Sequence, residues 1–166
     1  MKWVKQSIHY WCPDTKEHKF LGQNVTVAIL DTGISPHPDF KDRILSFRDF
    51  SSTTGSSEKV LFSFSHFSPL IDNSGHGTHV AGILAGSGLL SSGTYAGIAP
   101  FCNLIIGKVL DQNGNGSIKN VINGIQWIRD IYTQFHIRII NISVGTRPDL
   151  SIHQKLLLLN AVESLW

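Results

Sequence analysis

Two kinds of apolar pattern alternate along the chain. Short runs of buried character occur at residues 25–30 (Val-Thr-Val-Ala-Ile-Leu), 103–110 and 137–144. They are rich in β-branched residues and too short for buried helices, so they predict strands covered on both faces. Residues 44–50 predict a further strand. Elsewhere the spacing changes to three and four: Ile118, Val121, Ile122, Ile125 and Ile128 fall on one helical face. Residues 152–165 read as a helix with a wide apolar surface. Residues 75–85 read as a helix of small residues, among them Thr78, Ala81, Gly82 and Ala85. Each glycine weakens an isolated helix by about 1 kcal/mol, so this one must pack tightly against a neighbour. The order β, β, loop, α, β, α, β, α predicts a doubly wound α/β fold, a mainly parallel sheet with helices on both faces.

The remaining segments are polar or broken. Residues 1–23 read as an N-terminal arm, and Asp31-Thr-Gly-Ile-Ser-Pro-His-Pro-Asp39 is turn chemistry. Residues 51–72 are serine-rich and predict a long surface loop, and residues 86–97 predict a second loop. The chain has 166 residues, 42% hydrophobic and 16% charged, which fits one domain with a sizeable core. A formal net charge of +2 points to neither a nucleic-acid nor a membrane partner. The N-terminus does not read as a secretory signal, and no run approaches a membrane span, so a cytoplasmic location is expected. Cys12 and Cys102 make no disulfide framework, and Cys102 reads as a buried free thiol.

Asp31 ends the first strand, where functional residues of such sheets collect. A turn aspartate bonded to local amides is the plainer reading. Asp-Thr-Gly also occurs in proteases with paired aspartates, but here Ile34 follows, no second copy exists, and helices surround it. His76 and His79 lie three apart at a helix start, so they share a face and invite a metal reading. Zinc needs further ligands, and neither His-Glu-x-x-His nor a nearby cysteine pair is present. Asp111-Gln-Asn-Gly-Asn-Gly matches the start of an EF-hand loop, but position 12 is Ile122 and a strand precedes it. No metal and no cofactor is assigned.

Taken together, Val25-Thr-Val-Ala-Ile-Leu-Asp-Thr-Gly33 and His76-Gly-Thr-His-Val-Ala-Gly82 resemble the Asp and His motifs of the subtilisin-like serine proteases, from about Val25 onward. The resemblance implies Asp31 and His76 as the catalytic pair, with His79 a packed structural neighbour. It implies that Gly114, Asn115 and Gly116 form an edge that pairs with substrate backbone. Ile140-Asn-Ile-Ser-Val-Gly145 resembles the segment opposite it, so Ser143, Val144 and Gly145 are expected to wall the specificity pocket. The implied partner is a polypeptide substrate in extended conformation. Pro38-Asp39 resembles a position where some subtilases bind calcium, but the loop after the His helix lacks an oxygen cluster. The Gly-Thr-Ser-x-Ala/Ser nucleophile motif does not occur in these residues, nor does the oxyanion asparagine. Residues 1–166 are therefore expected to be one incomplete catalytic domain, an arm (1–23) and an α/β core (24–166), inactive alone. A non-catalytic peptide-binding module is the alternative, and a metal site on His76 and His79 a weaker one.

Overall fold

The computed structural model describes residues 2–10, 20–52, 58–60, 72–145 and 150–165. Its elements are α1 (Lys2–Ser7), β1 (Thr26–Asp31), β2 (Ile44–Asp49), β3 (Glu58–Val60), α2 (His76–Ala85), β4 (Asn103–Lys108), α3 (Ile118–Phe135), β5 (Ile137–Ile142) and α4 (Ile152–Glu163). The sheet order is β3-β2-β4-β1-β5. All pairings are parallel except that of β2 with the short β3.

Strand periodicity explains the two-sided core. Successive side chains point to opposite faces. Val27 and Ile29 of β1 join Leu104 and Ile106 of β4, with Phe47 of β2 and Ala81 and Ala85 of α2, on one face. Ala28, Leu30 and Ile105 turn the other way, against Val121, Ile125, Trp127, Ile128 and Ile131 of α3 and Ala161 of α4. Each fully buried Ile or Leu contributes about 2 kcal/mol of transfer free energy. The doubly wound arrangement predicted from the apolar runs is thus the one observed.

Two elements differ from expectation. The arm carries a short helix, α1, and is tied down: the Tyr10 hydroxyl donates to the Ile98 carbonyl at 2.5 Å, and the Phe101 amide to the Leu21 carbonyl at 2.9 Å. The serine-rich loop contains β3, a three-residue strand that no apolar run announces. Most of that loop, and Cys12, lie outside the described residues. As expected for an incomplete domain, α4 leaves much of its wide apolar surface uncovered: Ile152, Leu156, Leu157 and Leu159 are exposed.

Helix ends follow local chemistry. Ser117 caps α3 by accepting from the Asn120 amide, and Ser151 and Gln154 form a reciprocal box at the start of α4. By contrast, α2 starts at Gly75, which has a left-handed φ of 84° and offers no side-chain cap. The free amides of this helix are met from outside it, as described below.

Candidate active site

Asp31 is the last residue of β1 and fully buried. His76 is the first of α2, with a side chain 54% exposed. The Nδ1 of His76 and Oδ1 of Asp31 are 2.7 Å apart. The same oxygen accepts the Thr32 amide at 2.6 Å, so the turn reading and the pairing reading of Asp31 both hold. Oδ2 is buried with no hydrogen-bond partner among the described residues. Both donors to the Asp31 carboxylate, the Thr32 amide and the His76 ring, thus fall on one oxygen. The hydrogen bond between Asp31 and His76, then the Asp31 charge, raises the His76 pKa; slight desolvation opposes the rise, and the Asp72 charge adds to it. With Nδ1–H held by the carboxylate, neutral His76 keeps an unprotonated Nε2, the form a general base needs.

The contact requires β1 and α2 to approach closely, and Gly77 permits it. A Cβ at Gly77 would overlap the Gly33 carbonyl oxygen and press on Asp31 Cβ at 3.2 Å. Across this contact the Gly77 amide donates to the Thr32 hydroxyl at 2.9 Å. On the far side of β1, Asp31 pairs in register with Lys108 of β4. The buried Lys108 ammonium donates to the carbonyls of Thr32 (2.5 Å) and Leu110 (2.9 Å). It fixes both the turn after Asp31 and the start of the segment leading to residue 114.

An open groove of about 960 Å³ runs beside the pair. Gly114, Asn115 and Gly116 line it together with Ser143, Val144 and Gly145, and His76, Thr32 and Ser74 lie in its wall. Residues 114–116 are exposed, and neither segment is buried beneath a helix. All eight site residues named from the sequence thus border one space or, for Asp31, touch the residue that does. The calcium-like reading of residues 111–116 has a simple replacement. Asp111 Oδ1 accepts the amides of Asn113 (2.8 Å) and Asn115 (2.9 Å), so it organises its own turn.

Other positions need correction or a place. His79 is not a packed neighbour but faces solvent, because the buried face of α2 is Gly77, Ala81 and Ala85. It lines a separate groove of about 450 Å³ with His37 and Tyr95. Asp39, which also borders that groove, uses both carboxylate oxygens on the amides of Gly88 (3.0 Å) and Leu90 (3.2 Å). The Asp39 carboxylate thus ties the loop after α2 to its own turn. No group of three or more His, Cys, Asp or Glu among the described residues is arranged to hold a metal. Cys102 is free and fully buried, and burial raises its thiol pKa against the opposing charge of Arg43, leaving it inert.

Sequence reasoning missed Asp72, the most heavily bonded carboxylate near the pair. Its Oδ1 accepts from the Thr32 hydroxyl (2.8 Å) and the amides of Ser74 (3.2 Å) and Gly75 (2.9 Å). Its Oδ2 accepts the Thr78 amide (2.8 Å) and hydroxyl (2.5 Å). Burial alone would raise the Asp72 pKa, but the bonds from Thr78, Thr32 and Gly75 outweigh it and hold the carboxyl below its usual range. The available signal was its position four residues before a helix whose own first residues carry no capping side chain.

Comparison with known proteins agrees with this architecture. Serine protease AprX of Bacillus subtilis is 46% identical over 106 residues, covering 64% of this chain and 21% of AprX. The major intracellular serine protease of the same organism is 37% identical over 131 residues, covering 78% of this chain and 36% of that protein. The chain thus spans about a fifth to a third of the length of these relatives. The CspB protease of Clostridium perfringens superposes with a TM-score of 0.74 at 27% identity, covering 91% of this chain and 35% of the other. The sequence model described as the subtilase family, peptidase S8, matches residues 22–163. With that match running through the whole sheet, and a protease of the same fold superposing on it, the chain belongs to the subtilase family.

Proposed function

We propose that this chain supplies the aspartate and the histidine of an Asp-His-Ser endopeptidase. The observation that carries the reading is the 2.7 Å contact of Asp31 with His76 at the lip of an open groove. In the proposed reaction, Nε2 of His76 takes the proton of a serine hydroxyl as that oxygen attacks the scissile carbonyl. Asp31 holds the imidazole in the needed tautomer and stabilises the imidazolium that forms. His76 then returns the proton to the leaving amine, and water releases the acyl-enzyme by the same base. Substrate lies extended between residues 114–116 and 143–145, held mainly through its backbone.

The serine must come from outside residues 1–166, since no Gly-Thr-Ser-x-Ala/Ser segment occurs within them. Alone, these residues form no acyl-enzyme. The test is to express them in one polypeptide with a segment supplying the serine and the oxyanion donor. Cleavage of an unfolded protein should appear, and His76→Ala should remove most of it. Robust cleavage by residues 1–166 alone, blocked by a serine-directed acylating inhibitor, would overturn the reading. A peptide-binding module without catalysis predicts that extended peptides bind residues 1–166 while the completed chain cleaves nothing.

A further inference from the structure

We propose that Asp72 is a positioning residue for His76, its carboxylate clamping the strand end that carries Asp31 to the helix turn that carries His76. The inference rests on the assignment of those two residues as the catalytic pair and extends it to a third carboxylate. Asp72 is buried. Five donors converge on it, from both sides of the contact. Thr32 belongs to the turn immediately after Asp31, while Ser74, Gly75 and Thr78 surround His76. Two hydroxyls extend the clamp. Thr32 Oγ1 donates to Asp72 and accepts from the Gly77 amide; Thr78 Oγ1 donates to Asp72 and accepts from the Ser35 amide at 2.9 Å. One carboxylate therefore sets the separation of β1 and the first turn of α2 through short bonds at every link.

A neutral side chain in the same place would not do this. An amide offers one acceptor oxygen, whereas Asp72 uses two, and its amino group would meet the Thr78 amide donor head-on. The charge also matters. It lies at the start of α2, where the helix dipole favours an anion, and it adds to the field that favours imidazolium at His76. Among the described residues, the charged groups around the imidazole are Asp31 and Asp72, with Lys108 beyond the Thr32 carbonyl.

The experiment uses the 166-residue chain and reads the His76 ring by NMR, so it needs no nucleophile. It follows the His76 titration and the Nδ1 proton held by Asp31. In Asp72→Asn, the His76 pKa should fall, because one of the charges that raise it is lost. The Nδ1 proton should exchange faster. Thr78→Val should weaken the Nδ1 proton in the same direction, and Thr78→Ser, which keeps the hydroxyl, should retain it. Where Asp72→Asn fails to fold, the Thr78 pair decides the matter by the same signal. Folded Asp72→Asn with an unchanged titration and an unchanged Nδ1 proton would overturn the proposal, as would a folded Thr78→Val indistinguishable from the parent. Asp31→Ala, which removes the acceptor altogether, separates the two claims. If it leaves the Nδ1 proton intact, the catalytic pairing itself is wrong, whatever Asp72 does.

Discussion

At the scale of single residues, the site depends on a few short contacts that admit little alteration. Because the His76 pKa is raised in the folded state, its pairing with Asp31 stabilises the fold fully below the ordinary imidazole value of about 6.5. That contribution fades as pH rises through the folded-state pKa. The urea midpoint of the parent should therefore exceed that of His76→Gln most just below the ordinary imidazole value, with the gap closing as pH climbs; a gap independent of pH would contradict the pairing. Gly77 sets a steric limit rather than an electrostatic one. Gly77→Ala places a methyl against the Gly33 carbonyl and should cost roughly 3 kcal/mol in denaturant unfolding, the upper range for over-packing. A substitution that leaves stability unchanged would mean that β1 and α2 can separate freely.

At the scale of elements, one guanidinium joins three of them. Arg43 precedes β2 and donates to the carbonyls of Ala85 at the end of α2 (2.7 Å), Cys102 before β4 (2.8 Å) and Asp39. Arg43→Met should cost about 3 kcal/mol by leaving these carbonyls short of partners. Lys in its place should recover only part, since an ammonium cannot fork to three acceptors in this geometry; full recovery in thermal unfolding would show that charge alone suffices. The sequence announces the major elements because they are buried on a periodic face: β1, β4 and α3 each follow their apolar pattern. The Asp31–His76 pair is legible because motif residues fall at a strand end and a helix start. Arg43 and Lys108 are not legible, because each acts on backbone groups brought together only by tertiary packing; of Asp72 only the local half, its place before α2, is legible, and its bond from Thr32 depends on packing. β3 has no pattern of its own and exists by pairing with β2. The exposure of His79 could be read only once Gly77, Ala81 and Ala85 were known to face the sheet.

At the scale of the whole molecule, the two sides of the sheet end differently. β5 is an edge strand in the described structure, with Ile139 54% exposed. Along α4, Ile152, Leu156 and Leu159 follow helical spacing and face outward. An open edge beside an apolar stripe favours association. Residues 1–166 should self-associate with rising concentration in sedimentation experiments, and Leu156→Lys with Leu159→Glu should return them toward monomer with the circular dichroism unchanged. A parent that stays monomeric throughout would show the stripe to be harmless. Among the described residues, no helix is long and apolar enough to cross a membrane.

The strand that carries Asp31 is the first of the sheet to be synthesised, yet it lies between strands made much later: Thr26 pairs with Asn103 on one side and with Ile137 on the other. A growing chain therefore holds Val27, Ile29 and Leu30 without partners until most of its length exists. Closing such distant pairings slows folding and extends the time in which apolar segments lie bare. On the ribosome, β1 would gain its second neighbour only after residue 142 has emerged. Stalled chains ending before β4 should remain sensitive to added protease, and those ending after α4 should resist it.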